Sequence, residues 1–226
     1  VFRFTGLGRD HLSFEKGMGW ERTNDKTRRR VGGGMAIKVV AFNGSPRANG
    51  NTHQALQVVL DELAREGIGT ELIDIGREDI KPCRACGSCG KNRDGRCVIT
   101  EDRMNEHIQR IMEAQGVIIG SPVYFGNMTA QTKAFADRAF YVAKGNGDMF
   151  RRKVGAAVAV NRRAGALDTF DEINKLFLIS QMIVPGSSYW NTVTALRPGD
   201  LAKDEEGLRT LRTLGQNMAW LLKRLE

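Results

Sequence analysis

From residue 37 onward, short apolar runs alternate with longer stretches whose apolar positions recur at helical spacing. Residues 37–43, 70–75, 116–122 and 153–160 read as strands, and Gly76 closes the second of them. The third and fourth runs are nearly all apolar, as strands covered on both faces are. A fifth strand is expected near residues 183–187. Between the strands the period changes. Residues 52–66 put Leu56, Val59, Leu60 and Leu63 on one helix face. Met104, Ile108, Ile111, Met112 and Gln115 follow the same period. Thr100 is expected as the N-cap of that helix, with Glu101 and Asp102 in the first turn, where the helix dipole favours acid. Further helices are expected over 129–143, 167–181 and 204–225, the last striped by Leu208, Leu211, Met218, Leu222 and Leu225. Five strands separated by helices specify an α/β fold with a doubly wound parallel sheet.

The first 34 residues lack this patterning and end in Arg28, Arg29, Arg30, Val31 and three glycines. Two readings stay open for residues 1–34: a disordered basic extension, or a stretch that is not native. In the second, Met35 is the natural start, Gly32 to Gly34 translate a G-rich ribosome-binding sequence, and Val1 renders a GTG start codon. Residues 35–226 are expected to form one domain, with a cysteine loop at 81–98. The net charge of +8 divides evenly, because the first 34 residues hold eight Lys/Arg against four Asp/Glu. A body at +4 with interspersed charges reads as a solvated surface, so no nucleic acid is expected. No apolar run approaches the roughly 18 residues of a membrane span. Nor does the start read as a secretory signal, so a cytoplasmic protein is expected.

In the doubly wound order 2-1-3-4-5 a crevice opens between strands one and three, so the loops after those strands are where chemistry is expected. After strand one comes Asn43-Gly44-Ser45-Pro46-Arg47-Ala48-Asn49-Gly50-Asn51-Thr52, which contains no acid and opens a helix. Backbone N–H groups at a helix N-terminus make an anion site; Ser45, Asn51 and Thr52 add side-chain donors, and Arg47 adds charge. No Gly-Lys-Ser/Thr closes the loop, and it is not G-x-G-x-x-G, so one compact phosphate fits better than a triphosphate or a dinucleotide. The plain alternative is a polar β–α loop capped by Asn51 or Thr52. After strand three, Tyr124 and Phe125 offer an aromatic surface, Gly126 permits close backbone approach, and Asn127 adds a polar contact. The plain alternative there is that the aromatics fill core. A third candidate is the loop Asn161 to Gly165, in which Arg162 and Arg163 either meet an anionic donor or face solvent. His11, His53 and His107 show no ligand-like spacing; His53 is expected on the first turn of the helix by the phosphate loop, and the others on the surface.

All four cysteines fall in one run, Cys83-x2-Cys86-x2-Cys89-x7-Cys97. In a cytosolic chain such spacing points to metal or redox chemistry rather than disulfides. The consecutive C-x2-C-x2-C resembles ferredoxin runs, with a more distant fourth ligand supplied by Cys97, whereas structural zinc more often takes two separated pairs. Gly90 and Gly95 are expected to supply the turns that return Cys97 to the others. Cluster, zinc and metal-free thiols all remain open on spacing alone.

Gly44-Ser45-Pro46-Arg47 followed by Asn49-x-Asn51-Thr52 resembles the FMN-phosphate loop of the flavodoxin-like NAD(P)H-dependent FMN reductases. Ser121-Pro122-Val123-Tyr124-Phe125-Gly126-Asn127-Met128-Thr129 resembles their isoalloxazine loop, and Lys133-Ala134-Phe135-x-Asp137-Arg138 the helix that follows. With the cysteines included, the resemblance is nearest to the iron–sulfur flavoproteins. It implies a flavodoxin-like five-stranded sheet of order 2-1-3-4-5. It implies FMN held by Ser45, Arg47, Asn49, Asn51, Thr52, Pro122, Val123, Tyr124, Phe125, Gly126 and Asn127. It further implies a [4Fe–4S] cluster on Cys83, Cys86, Cys89 and Cys97, and a homodimer or homotetramer. The expected function is electron transfer among cluster, FMN and a small acceptor or redox protein, with the flavin doing the chemistry and no catalytic side chain. The alternatives are an NAD(P)H-dependent FMN or quinone reductase with structural, zinc-bound or free cysteines, and a non-enzymatic flavin carrier or sensor. Ala166, Leu167 and Asp168 depart from the glycine-rich run of relatives, which puts ring contacts from that loop in doubt.

Overall fold

The structure, a computed structural model, describes residues 36–225. The extension over residues 1–34, the start at Met35 and His11 therefore lie outside the described residues. Five strands form one all-parallel sheet of order β2-β1-β3-β4-β5: β1 (Lys38–Asn43), β2 (Gly69–Asp74), β3 (Gly116–Pro122), β4 (Val154–Asn161) and β5 (Thr192–Thr194). The helices are α1 (Asn51–Arg65), α2 (Ser88–Asn92), α3 (Met104–Glu113), α4 (Ala130–Gly145), α5 (Ala166–Ile179) and α6 (Glu205–Leu225). This is the doubly wound, flavodoxin-like sheet expected from the alternation of periods. Among the described residues no helix is long and apolar enough to cross a membrane.

The period of two in β1 divides the core into two layers. Val40 and Phe42 face α3, α4 and α5, where they meet Ile108, Phe135, Phe140 and Phe177. Val39 and Ala41 face α1 and α6, with Leu56, Val59, Leu63, Leu211 and Met218. Each large side chain buried this way contributes about 1.5–3 kcal/mol. In the first layer Phe42 packs on Phe135, with ring centroids 4.5 Å apart. Every residue of β4 is buried, in keeping with its unbroken apolar run. Helices on both sides cover it.

Four expectations are corrected. The fifth strand lies at Thr192–Thr194, pairing with Ala159–Asn161, and not near 183–187. Ile183 makes only a single bridge, to Val154. Two residues on, Pro185 has no N–H with which to extend a ladder. Thr100 does not cap α3. The helix begins at Met104, whose N–H donates to Asp102 Oδ1 at 3.2 Å, while the Thr100 N–H turns to Glu101 Oε2. His107 is buried rather than on the surface: its Nε2 stands 2.7 Å from Glu78 Oε2, with its ring edge-on to Phe42. A buried imidazole needs such a partner. Gly90 makes no turn, because it lies inside α2, the short helix that the spacing did not announce. A Cβ on the facing Gly145 would stand 3.0 Å from the Gly90 Cα, so the pair brings α2 against α4.

Candidate functional site

The loop after β1 is folded by its own polar atoms. Asn43, fully buried at the strand end, accepts the Ser45 N–H on Oδ1 at 3.0 Å and donates Nδ2 to Asp74 Oδ1 at 2.7 Å. Ser45 Oγ in turn accepts the Arg47 N–H at 3.2 Å, and the Gly50 N–H closes back on the Arg47 carbonyl at 3.2 Å. Gly50 is extended and precedes α1 directly. The N–H groups of Asn51, Thr52 and His53 thus sit in the first turn, without carbonyls four residues back to accept them. No acid stands in that turn, so the positive end of the helix dipole is uncompensated by its own residues. His53 Nδ1 lies 3.1 Å from Asp74 Oδ1, on the far side of the loop's anchor. Gly76 seats the loop from below. A Cβ there would meet the Ser45 carbonyl carbon and oxygen at 2.3 Å, and its own N–H donates to the Asn43 carbonyl at 3.0 Å.

The loop after β3 is laced to the first one. The Gly44 N–H donates to the Gly120 carbonyl and the Thr129 hydroxyl to the Gly44 carbonyl, each at 2.8 Å. Ser121 Oγ accepts the Thr129 N–H at 3.0 Å, which fixes the start of α4, and Thr129 caps that helix by accepting the Thr132 N–H. Between them Tyr124 and Asn127 exchange backbone hydrogen bonds of 2.8 and 3.0 Å around Phe125 and Gly126. Both central residues are left-handed, at φ 52° and 79°, the geometry of a type I′ turn. Gly126 meets this without strain. Phe125 does so at the tip, its side chain fully exposed.

These loops bound a cleft of about 260 Å³ at the carboxyl edge of the sheet. Seven of the residues singled out in the sequence line it: Ser45, Arg47, Asn51, Thr52, Pro122, Val123 and Tyr124. Asn49, Phe125, Gly126 and Asn127 stand outside the lining. Asn49 turns its carbonyl to the Gln54 side chain, and Asn127 turns Oδ1 to the Met128 N–H at 2.7 Å. The rest of the wall is Val160, Asn161 and Arg162 at the end of β4, with Ala195 and Leu196 just beyond β5. Asn161 and Arg162 belong to the third loop noted in the sequence. Ala195 and Leu196 were missed because the fifth strand was placed too early; the Thr-Val-Thr alternation before Arg197-Pro198-Gly199 is the signal that finds them. One atom in the wall lacks a partner. Asn51 gives Nδ2 to the Arg197 carbonyl at 2.9 Å, and its buried Oδ1 accepts nothing.

A second cluster lies in the loop that leaves β2. Cys83, Cys86, Cys89 and Cys97 all line one small cavity of about 20 Å³, walled by Ile99, Arg138, Tyr141 and Val142. Ala85, Gly87, Arg93 and Gly95 are left-handed and fold the loop back on itself. Cys89 is buried, Cys83 and Cys97 half-buried, and Cys86 exposed. Burial pushes the Cys89 thiol up, whereas hydrogen bonding to Ser88 pulls the Cys86 thiol down. Among the described residues no three His, Cys, Asp or Glu side chains converge on one metal ion.

The family described as NADPH-dependent FMN reductase matches residues 37–196. An iron–sulfur flavoprotein of Methanocaldococcus jannaschii is 39% identical over 194 residues, covering 83% of this chain and 98% of its own. An iron–sulfur flavoprotein of Methanosarcina thermophila is 31% identical, over 84% of this chain and 97% of its own. Among solved structures, RosB with bound 8-demethyl-8-formylriboflavin-5'-phosphate superposes with a TM-score of 0.65 at 17% identity, over 84% of this chain and 80% of that one. A flavodoxin-type WrbA-like protein from Agrobacterium tumefaciens gives 0.57 at 17% identity, over 85% and 100%.

Proposed function

The chain belongs to the NADPH-dependent FMN reductase family, among the iron–sulfur flavoproteins, and from that premise we propose that it passes electrons between a [4Fe–4S] cluster, FMN and a small acceptor or redox protein. It is a flavin-dependent oxidoreductase; the cluster, the residues assigned to each group and the partner are the proposal. The observation that carries it is the pairing of an acid-free anion cradle with four cysteines around one cavity, in loops that leave neighbouring strands of one parallel sheet.

Bound FMN supplies one- and two-electron chemistry, and the protein contributes position and electrostatics. The N–H groups of the first turn of α1, with Ser45, Thr52 and Arg47, hold the phosphate. Asn51 takes a different part. Its free atom is an acceptor, which repels phosphate oxygens and suits a ribityl hydroxyl. A cleft of about 260 Å³ is small for a whole flavin, since enclosed ligand sites run to roughly 300–1,000 Å³. The cleft would hold the phosphate and ribityl chain, and Tyr124 with the backbone of 123–127 would offer the ring its surface. Cys83, Cys86, Cys89 and Cys97 would hold the cluster, in a loop that left-handed turns fold back on itself. NAD(P)H is a candidate electron donor. The exposed aromatics Phe125, Tyr189 and Trp190 support a homodimer or homotetramer in which a neighbouring subunit covers the ring. A cytoplasmic location remains part of the proposal.

The test is chemical analysis of protein prepared without oxygen and supplied with iron and sulfide. Both iron and acid-labile sulfide bind with FMN, and Cys97→Ala loses them while FMN stays. Zinc in their place, or no metal, would leave a flavin reductase with structural or free thiols.

A further inference from the structure

Arg138 is among the largest fully buried side chains of the molecule, and it comes from α4, outside the cysteine run. Its guanidinium grips both stems of the cysteine loop. Nη1 donates to the Lys81 carbonyl at 3.2 Å, and Nη2 to the Ile99 carbonyl at 2.9 Å. Nη1 also pairs with Asp102, whose side chain is 4% exposed. Asp102 completes the grip by accepting the Lys81 N–H at 2.9 Å and the Met104 N–H at 3.2 Å. Residues 81–99 are thereby closed at the base by one ion pair.

That accounts for two of the three guanidinium nitrogens. Arg138 Nε is buried and has no acceptor, while the side chain forms part of the wall shared with all four cysteines. An orphaned buried donor on a cation is costly unless something accepts from it. Cys97 lines that wall, and its sulfur is the candidate acceptor.

Building on the cluster reading above, we infer that Arg138 is a positioning residue for the metal centre: it clamps the loop through Lys81, Ile99 and Asp102, and its free Nε–H donates to sulfur at Cys97. Donors to the sulfurs of a cluster favour its more negative, reduced form and raise its potential. The partnership with Asp102 limits that effect, because the carboxylate offsets the guanidinium charge.

The experiment uses the full-length protein, prepared anaerobically with iron and sulfide, as wild type, Arg138→Lys and Asp102→Asn. Three quantities are read: FMN content, the rate of iron loss to EDTA, and the midpoint potential from dithionite titration. Arg138→Lys keeps the charge and the pairing but lacks the fork. It should lose iron about tenfold faster or more, with its potential shifted negative and its FMN retained. Asp102→Asn keeps acceptor and size while removing the offsetting charge, so its potential should shift positive. Opposite shifts from the two halves of one ion pair are not what a merely structural contact gives. Should Arg138→Lys fail to fold, the sign of the Asp102→Asn shift still decides. Wild-type iron retention and potential in both folded variants would overturn the inference alone. Absence of iron from the wild type would overturn the cluster reading and this inference with it.

Discussion

Gly76 tests whether the loop after β1 is a rigid seat for a ligand or merely a connection. It ends the run after β2, and its backbone lies directly against that of Gly44 and Ser45. In Gly76→Ala the new methyl would stand 2.3 Å from the Ser45 carbonyl carbon and oxygen and 2.6 Å from the Gly44 carbonyl carbon. Those atoms are backbone, tied to Gly120 and Thr129, so the strain cannot be relieved by turning a side chain. The loop must lift by about an ångström, at a cost near the upper end of the ~1–3 kcal/mol typical of overpacking. Gly67→Ala is the control. Its Cβ would meet nothing, and at φ +79° it loses only about 1–2 kcal/mol of left-handed preference. Urea unfolding and quenching of FMN fluorescence separate the two. Gly76→Ala should lose about 2–3 kcal/mol of stability. Its FMN affinity should also fall about tenfold or more, since about 1.4 kcal/mol of lost loop geometry is that factor. Gly67→Ala should bind FMN as the wild type does. Wild-type FMN affinity in a destabilised Gly76→Ala would refute the seat.

Arg47→Glu should weaken FMN but leave riboflavin, which has no phosphate, unchanged, with the FMN loss greatest at low salt; isothermal titration with both ligands reads the difference. Asn51→Ala, which removes the unpaired acceptor proposed for the ribityl chain, should weaken both by similar factors in the same titration. Phe135→Ala, which empties the place beneath Phe42, should cost about 3–5 kcal/mol in urea unfolding. Asp102 gives a pH dependence. Burial raises its carboxyl, but the Arg138 hydrogen bond and the N–H groups of Lys81 and Met104 outweigh that and hold it below the usual 3.8. A depressed folded value stabilises above the unfolded pKa, and that contribution is lost as pH falls through the folded one. Asp102→Asn should therefore cost stability at neutral pH, and the gap to wild type should narrow below about pH 4.

The centre of the sheet was legible because β1, β3 and β4 are buried on both faces, and an unbroken apolar run such as 116–122 has no other economical reading. The fifth strand was not. Three residues of Thr-Val-Thr bury one side chain, Val193, while the more apolar Met182, Ile183 and Val184 lead into Pro185 and stop. Misplacing it hid Ala195 and Leu196, which line the cleft beside Val160, Asn161 and Arg162. The two loops that bound the cleft stood out because glycine, asparagine and hydroxyl residues after a strand have few other uses. Gly76 read only as a strand end, since nothing local to it shows which backbone it lies against. The partnership of Arg138 with both stems of the cysteine loop spans more than 50 positions at Lys81, and no periodicity encodes it. His107 carries the same lesson. Its helical neighbours Met104, Ile108 and Ile111 lie on the buried face, and Glu78, 29 positions away, makes a buried imidazole possible.

The central claim is that one chain holds a flavin and an iron–sulfur cluster as a single electron-transfer unit. Anaerobic titration with dithionite, followed by absorbance and normalised to bound FMN, tests it most directly. The account predicts about three electrons per FMN, about two for the flavin and about one for the cluster. Uptake of only about two electrons by protein supplied with iron and sulfide, with flavin bleaching alone, would contradict it.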